Sequence, residues 1–330
     1  MIYYLFTISI MQPVRRILIT DETHPVLRSK LENAGFECDV RPDLGYNGIL
    51  TIVGGYDALV VRSKIRIDRP FIDRAARLRC IGRVGAGMET IDEAYAESRG
   101  IRCLNSPEGN RTAVGEHTVA LLLALFDKIC KADGEVRRGL WLREDNRGLE
   151  VAGKTVAIIG FGNMGCSFAR CLSGFGCRII AYDKYKTGFA PEYVSEVSLQ
   201  QCFAQADVLS FHVPLTDETR YYADGRFLNS FAKNIYLLNT SRGAVVQTSA
   251  LVEALKKGKV AGAALDVLEY ENMAKDGLAA DNMPEDLEYL THCQNVVLTP
   301  HVAGWTVESK ERLASVLADK IIKCLKDSDL

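Results

Sequence analysis

Cysteine patterns of the metal-binding or disulfide kind are absent from this chain, although it has ten cysteines. None of them forms a C-x-x-C pair, and no histidine accompanies them at metal-ligand spacing. The tightest group is Cys166, Cys171 and Cys177. Scattered cysteines in a chain of 330 residues are typical of reduced, mostly buried thiols. The sequence therefore predicts no metal site and a cytoplasmic protein.

A strong charge of either sign is also missing. The chain has 40 lysines and arginines against 42 acidic residues, which gives a formal net charge of -2. Without a global electrostatic field, neither nucleic acid nor an anionic membrane is a predicted partner. The apolar start, residues 1–10, lacks a basic region and a cleavage site and is too short to span a bilayer. We interpret residues 1–11 as an extension without an assigned function.

What the chain does contain is a regular alternation of short apolar runs and amphipathic stretches. Strands are predicted at 17–20, 58–61, 80–84, 102–104, 208–213, 235–238, 261–265 and 296–298, and early helices at 25–33, 70–76 and 91–98. Strands separated by helices imply parallel sheets with crossover connections. The sequence therefore predicts an α/β protein.

A glycine-rich turn lies near the middle of the chain. The β-branched run 156–159 predicts a buried strand, and Gly160 lets the chain turn sharply at its end. Gly162 allows a pyrophosphate to approach the backbone, and Gly165 lets the next helix, about 165–174, pack closely on the strand. Alone, such a spacing is equally typical of an ordinary strand-to-helix turn.

The context of the turn favours a dinucleotide site. A second predicted strand, 178–182, delivers Asp183 about twenty residues beyond the glycines. A carboxylate there accepts hydrogen bonds from the ribose hydroxyls of adenosine and would repel a 2′-phosphate, which favours NAD over NADP. The alternative for Asp183 is a cap or turn residue at a strand end.

The position of the turn predicts an inserted domain. Residues 106–300 supply a complete doubly wound sheet, whereas 1–105 form a separate α/β segment. A last amphipathic helix, about 307–325, needs a partner, and we expect the segment 301–330 to return to the first domain. An almost wholly apolar helix is predicted over 112–138. It is either buried within its own domain or covered by another domain or subunit.

Three charged residues follow predicted strands, where open α/β sheets bind ligands. Arg242 could clamp a carboxylate through two parallel hydrogen bonds. His301 is suited to moving a proton near neutral pH, and Glu271 beside it would stabilise the imidazolium. Singly, each has an ordinary alternative: a strand-end cap, a loop histidine and a surface carboxylate.

At these residues the chain resembles the D-isomer-specific 2-hydroxyacid dehydrogenases, especially short D-3-phosphoglycerate dehydrogenases without a regulatory domain. The matching segments are 61–63, 82–87, 160–165, 239–243, 262–267 and 299–301. The resemblance implies two Rossmann-like, doubly wound parallel-sheet domains, with the NAD-binding domain (106–300) inserted into a discontinuous substrate domain (1–105 and 301–330). Because the chain stops at Leu330, we expect no regulatory domain.

The resemblance also assigns roles to residues. It implies that Arg242 binds the substrate, that Glu271 stabilises the charged imidazole and that His301 is the acid/base. The implied NAD contacts are Gly160, Gly162, Asn163, Met164, Gly165, Asp183, Val213, Pro214, Thr240 and Asp266. A homodimer joined through the NAD domain is a further expectation. Two departures from the family pattern are Asn272 in place of proline and Ala303 in place of a frequent glycine.

The substrate is predicted less sharply. Expected substrate contacts are Arg62, Arg66, Arg83, Val84, Gly85 and Arg143. Arg62, Lys64, Arg66 and Arg83 could bind the phosphate of 3-phosphoglycerate, and the alternative is a solvated basic face. Other hypotheses are a glyoxylate or hydroxypyruvate reductase and, from a different class, an NADH-sensing corepressor. A formate dehydrogenase is disfavoured, because the resemblance would place glutamine at Glu271.

Overall fold

The computed structural model describes residues 15–272, 277–278 and 283–327, with the backbone alone at 272, 277 and 278. The extension 1–11 and most of the loop after Asn272 lie outside these ranges. The chain divides into two compact units. The first unit is residues up to 109 together with those from 310 onward, and the second is 110–309.

The elements alternate along the chain. The strands are β1 Arg16–Ile19, β2 Glu37–Val40, β3 Ala58–Val61, β4 Cys80–Arg83, β5 Arg102–Leu104, β6 Thr155–Ile159, β7 Arg178–Tyr182, β8 Ser195–Glu196, β9 Val208–Phe211, β10 Ile235–Asn239, β11 Val260–Leu265, β12 Glu271–Asn272, β13 Gly277–Leu278 and β14 Val296–Leu298. The helices are α1 Pro25–Asn33, α2 Tyr46–Ile52, α3 Arg69–Arg74, α4 Glu93–Ser98, α5 Pro107–Phe126, α6 Ile129–Arg137, α7 Asn163–Leu172, α8 Leu199–Gln205, α9 Gly225–Asn229, α10 Thr248–Lys256, α11 Glu285–His292 and α12 Val307–Asp327.

The first unit is built on a five-stranded parallel sheet in the order β2-β1-β3-β4-β5. The helix α12 contributes Leu317 and Ile321 to a core shared with Ile17 and Val60 of the central strands. The edge strand β2 was not predicted, because none of its four residues is fully buried and it therefore lacks an apolar run.

The second unit contains a seven-stranded parallel sheet in the order β14-β11-β10-β9-β6-β7-β8. The chain builds outward from β6 in one direction and then returns to add β9, β10, β11 and β14 in the other. Buried side chains cover both faces, so the central strands are apolar almost throughout. The prediction of two doubly wound parallel sheets is confirmed, and β6 and β9 meet at the point where the strand order reverses.

The single helix predicted over 112–138 is wrong. The structure has two helices there, and they are separated at Lys128, which adopts a left-handed conformation with φ of 52°. One such residue ends the helical hydrogen-bond ladder, and the amide of Leu149 donates to the carbonyl of Phe126 at 3.1 Å. Several apolar residues of α5, including Leu122, lie in the core of their own unit.

One helix boundary also differs from that read from the sequence, and the compact units have bounds of their own. The compact units change over at 109–110 and 309–310, within the first turns of α5 and α12. The domain limits at 105 and 300 stay predictions. The helix after the glycine turn begins at Asn163 rather than 165, because Gly162 with ψ of -154° is its extended N-cap. No helix in the described ranges combines the length and apolarity needed to cross a bilayer.

Candidate active site

Six strands of the second sheet end at the same level. The register pairs Ile159 with Tyr182 and Phe211, Phe211 with Asn239, Asn239 with Leu265, and Leu265 with Leu298. The residues directly beyond these strand ends are Gly160, Asp183, His212, Thr240, Asp266 and Thr299. Because the strands are parallel, these residues form one row along the carboxyl edge, where such sheets bind ligands.

The glycine turn has the geometry of a dinucleotide cradle. Gly160 has φ of +90°, and a Cβ there would lie 2.6 Å from the carbonyl oxygen of His212. A Cβ on Gly165 would lie only 2.1 Å from the carbonyl oxygen of Gly160. By contrast, a Cβ on Gly162 would meet no atom within 4 Å. The turn is thus tightly packed on the protein side and open at Gly162, which fits a pyrophosphate at the N-terminus of α7.

Asp183 is held beside this turn by its own hydrogen bonds. Its Oδ2 accepts from the amide of Phe161 at 2.8 Å, and its Oδ1 accepts from the amide of Tyr185 at 3.0 Å. Each oxygen keeps a second lone pair, which is what ribose hydroxyls would use. The predicted contacts Asn163 and Met164 are partly exposed in the first turn of α7.

His212, which follows β9, was not among the predicted site residues. Its Nε2 bonds to Ser210 Oγ at 2.8 Å, and its buried Nδ1 has no hydrogen-bond partner within the part of the chain that the structure describes. Burial lowers the pKa of His212 to about 3, so the ring is neutral near neutral pH. The next residue, Val213, lies against the turn, because a Cβ on Gly160 would be 2.8 Å from its Cγ1. The predicted contact Pro214 is exposed.

Asp266 organises the loop after β14. Its side chain is 1% exposed. Its Oδ1 accepts from Thr299 Oγ1 at 2.6 Å and from the amide of Val302 at 2.9 Å, and its Oδ2 accepts from the amide of Ala303 at 2.9 Å. Burial would raise the pKa of Asp266, but hydrogen bonds from His117, Thr299 and the two amides bring it below its ordinary value. A charged carboxylate therefore fixes this loop.

His301 and Glu271 come together in the structure. His301 Nδ1 lies 3.2 and 3.1 Å from the two carboxylate oxygens of Glu271. The backbone amide of His301 donates to the carbonyl of Asp266 at 2.8 Å. His301 has φ of 55°, a conformation that non-glycine residues rarely adopt and that persists only where surrounding contacts hold it. Because Glu271 pairs with Nδ1, the ring nitrogen outside this pair is Nε2.

Arg242 lies on the neighbouring loop, after β10. Asn239 shapes this loop, since its Oδ1 accepts from the amide of Ser241 at 3.0 Å and its Nδ2 donates to the carbonyl of Arg242 at 3.0 Å. A Cβ on Gly243 would lie 2.0 Å from the carbonyl of Leu268, three residues before Glu271. The loops that carry Arg242 and Glu271 are therefore in direct contact.

Two polar side chains of α5, which the sequence reasoning did not single out, reach the same edge. His117 Nε2 lies 3.2 Å from Thr299 Oγ1, and Thr118 Oγ1 lies 3.1 Å from Thr240 Oγ1. Their residue types alone do not single them out, because His117 and Thr118 follow Glu116 at the end of the polar first half of α5.

The predicted substrate contacts of the first unit are divided between structural and exposed positions. Arg83 is 8% exposed and donates to the carbonyls of Arg62, at 3.1 Å, and Gly87. Lys64 donates to the carbonyl of Leu44 at 2.9 Å. Arg66 is exposed to solvent, and Arg62, Val84 and Gly85 are partly buried. In the second unit, Arg143 is exposed. These roles stay predictions.

Comparison with known proteins identifies the second unit. Residues 119–303 match the family described as D-isomer specific 2-hydroxyacid dehydrogenase, NAD binding domain. The chain is 34% identical over 318 residues to a D-3-phosphoglycerate dehydrogenase of Methanocaldococcus jannaschii, covering 94% of this chain and 57% of that protein. The chain thus spans about half the length of the phosphoglycerate dehydrogenases it matches.

Other relatives are covered more fully. A hydroxypyruvate reductase of Thermotoga maritima is 35% identical over 277 residues, which are 83% of this chain and 87% of that protein. A crystal structure of D-lactate dehydrogenase from Aquifex aeolicus with NAD and lactic acid aligns with a TM-score of 0.81 and 25% identity over 96% of both chains. The chain therefore belongs to the family of D-isomer-specific 2-hydroxyacid dehydrogenases.

Proposed function

We propose that this protein is an NAD-dependent oxidoreductase that moves a hydride between nicotinamide and a D-2-hydroxy acid. The observation that carries the proposal is the His301–Glu271 pair, with Nδ1 to carboxylate distances of 3.1 and 3.2 Å. The pair lies on the same sheet edge as a glycine turn that fits a dinucleotide. Membership in the family supports the reaction class.

Each side chain has a separate task in the proposed reaction. When bound, NAD supplies the hydride acceptor. During oxidation, neutral His301 accepts the proton of the C2 hydroxyl on Nε2, while Glu271 at Nδ1 stabilises the imidazolium that results. Arg242 holds the substrate carboxylate and stabilises the carbonyl oxygen that forms at C2. In the reverse direction, protonated His301 returns the proton to that oxygen.

For the substrate we propose 3-phosphoglycerate, which would place the protein in serine biosynthesis. Relatives named for this activity support the choice, as does the basic group that includes Arg62 and exposed Arg66. The alternative is glyoxylate or hydroxypyruvate, supported by relatives of similar identity named for those substrates. These smaller acids need no phosphate site. Exposed Arg66 gives the first choice a direct test.

We also propose a homodimer joined through the second unit. The segment from α6 to residue 149 exposes large apolar side chains, which is unusual for a monomer in water. These are Ile129, Val136, Leu140, Trp141, Leu142 and Leu149, with Trp141 77% exposed. Light scattering of the purified protein tests the dimer.

We propose a cytoplasmic location from the cysteines, because all ten lie in the described ranges as free thiols.

A parallel assay tests the reaction and the substrate together. NADH formation is followed with 3-phosphoglycerate, D-glycerate and D-lactate, and NADH oxidation with glyoxylate and hydroxypyruvate. We expect turnover with 3-phosphoglycerate and a raised KM in R66M for this acid but not for D-glycerate. Turnover with none of these acids would refute the proposed function. In that case the NADH-sensing corepressor hypothesis, which predicts NADH binding without turnover, would gain support.

A further inference from the structure

Helix α5 sends two consecutive polar side chains to the carboxyl edge of the second sheet. Thr118, which is fully buried, bonds to Thr240 after β10. His117 bonds to Thr299 after β14. The strand between these two, β11, is followed directly by Asp266. One turn of α5 therefore contacts the loops on both sides of the carboxylate that organises the site.

The direction of the hydrogen bonds around Thr299 is determined by its single hydroxyl proton. Thr299 Oγ1 donates to Asp266 Oδ1 at 2.6 Å, so its lone pair accepts from His117 Nε2 at 3.2 Å. His117 Nε2 also lies 3.5 Å from Asp266 Oδ1. His117 therefore donates into a chain that ends on a buried carboxylate.

The same carboxylate controls the backbone on which His301 sits. Asp266 holds the amides of Val302 and Ala303 through its side chain and that of His301 through its carbonyl. Because His301 is in a left-handed conformation, its position depends on these bonds. A displacement of Asp266 or Thr299 would be passed to the imidazole.

We propose that His117 is a positioning residue that acts through Thr299 and Asp266 to hold His301 where it can transfer the substrate proton. The proposal rests on the proposed function. His117 acts on the loop, and the chemistry stays with His301 and Glu271. Removing the His117 donor should therefore impair the chemical step more than it weakens cofactor binding.

Leucine and glutamine substitutions at His117 separate this role from simple packing. H117L removes the donor but keeps an apolar side chain of similar size, whereas H117Q keeps an N–H at nearly the position of Nε2. We expect kcat to fall on the order of tenfold or more in H117L, because small displacements of reacting groups are costly. In H117Q it should recover to within about threefold, and the Kd for NADH, measured by fluorescence, should change little in both.

The isotope effect provides a readout that lost packing alone would not change. Whichever of 3-phosphoglycerate, D-glycerate and D-lactate is oxidised fastest in the parallel assay is prepared with deuterium at C2. In H117L the deuterium effect on kcat should increase, since a displaced acid/base makes the chemical step limiting. T299V breaks the same chain one bond later and should reproduce this behaviour, with T299S as its matched control. T299V also serves if H117L does not fold.

The variant H301A distinguishes a failure of the proposed function from a failure of the positioning role of His117 alone. If H301A keeps its kcat, the proposed function fails. If H301A loses activity while H117L and T299V keep kcat and lose only thermal stability, the positioning role alone is overturned. Equal losses in H117L and H117Q would also overturn it, because the donor would then be irrelevant. Smaller losses in H117Q and T299S than in H117L and T299V would support it.

Discussion

The two sheets share their parallel architecture but differ in what their carboxyl edges do. In the first unit, polar side chains beyond the strands bond to backbone carbonyls or to close neighbours in sequence. Asn105 Nδ2 donates to the carbonyl of Ala86 at 2.7 Å, Thr20 Oγ1 lies 2.9 Å from Asp21 Oδ2 and 3.1 Å from the carbonyl of Val60, and Arg41 donates to Asp43. In the second unit, side chains that are far apart in the sequence bond to one another, as in the set of His117, Thr299 and Asp266.

A parallel sheet determines where a site can form, namely at its carboxyl edge. The comparison shows that the few residues just after the strands determine whether a site forms there. Backbone carbonyls and neighbouring side chains take up the hydrogen bonds of Thr20, Arg41 and Asn105 at the first edge. The second edge contains a buried carboxylate whose burial is offset by hydrogen bonds, a strained histidine and a buried neutral histidine, and each of the two histidines has a cost to stability. Such costs are typical of functional sites.

The largest expected effect is a loss of kcat on substitution of His301, and His24 provides the comparison. H301A should lower kcat by about 10² to 10⁴, the usual contribution of positioned proton transfer, without unfolding the protein. His24 caps α1 by accepting from the amide of Val26 at 3.3 Å. H24A should therefore cost at most about 0.5–1.5 kcal/mol of stability, the value of one net hydrogen bond, and leave kcat unchanged. Steady-state kinetics and urea unfolding of both variants test this prediction. Similar kcat values for H301A and H24A would contradict the acid/base role of His301.

Glycines of the dinucleotide turn provide the next largest effect. In G165A the new Cβ would lie 2.1 Å from a backbone oxygen that cannot move aside easily, so the free energy of unfolding should fall by about 1–3 kcal/mol. The matched variant G162A adds a methyl group in open space and should keep its stability while its Kd for NADH rises. Urea denaturation and NADH fluorescence measure the two effects. Equal stability losses would contradict the interpretation of Gly162.

The sequence predicts those features of the fold that depend on residues close together in the chain, and it fails for those that depend on distant residues. Six of the seven strands of the second sheet and the glycine turn were predicted because an apolar run and its neighbouring glycines are local signals, whereas the two exposed residues of Ser195–Glu196 gave no such run. The break at Lys128 was not predicted, since neither glycine nor proline stands at the left-handed position. The edge strand Glu37–Val40 was missed because its side chains are only partly buried.

The candidate site shows the same limit. His301, Glu271 and Arg242 were predicted as site residues from their residue types and from the resemblance of their segments to a known family. The contact between His117 and Thr299 joins positions 182 residues apart, and no local pattern specifies it. His212 was also missed, because its sequence position does not reveal that it is buried and neutral.

Acid stability provides a third test of the comparison. Because the pKa of His212 is about 3 in the folded protein and near 6.5 in an unfolded chain, only the unfolded state takes up a proton between these values. Below pH 6.5 stability should therefore fall by about 1.4 kcal/mol per pH unit from this residue. H212Q should remove that slope. Urea titrations at pH 7, 6 and 5 measure it, and parallel pH profiles for both proteins would contradict the assignment.

The smallest effect concerns cofactor choice at Asp183. D183S removes the carboxylate that would accept from the ribose hydroxyls, a loss of about 0.5–1.5 kcal/mol per hydrogen bond. It also removes a charge that would repel a 2′-phosphate, while Lys186, which donates to the carbonyl of Phe161 at 3.1 Å, stays beside the site. The ratio of kcat/KM for NADP to that for NAD should rise by roughly tenfold. Because Asp183 also accepts from the amides of Phe161 and Tyr185, the matched variant D183N separates charge from loop geometry. An unaltered ratio in both variants would mean that Asp183 serves the turn and not the ribose.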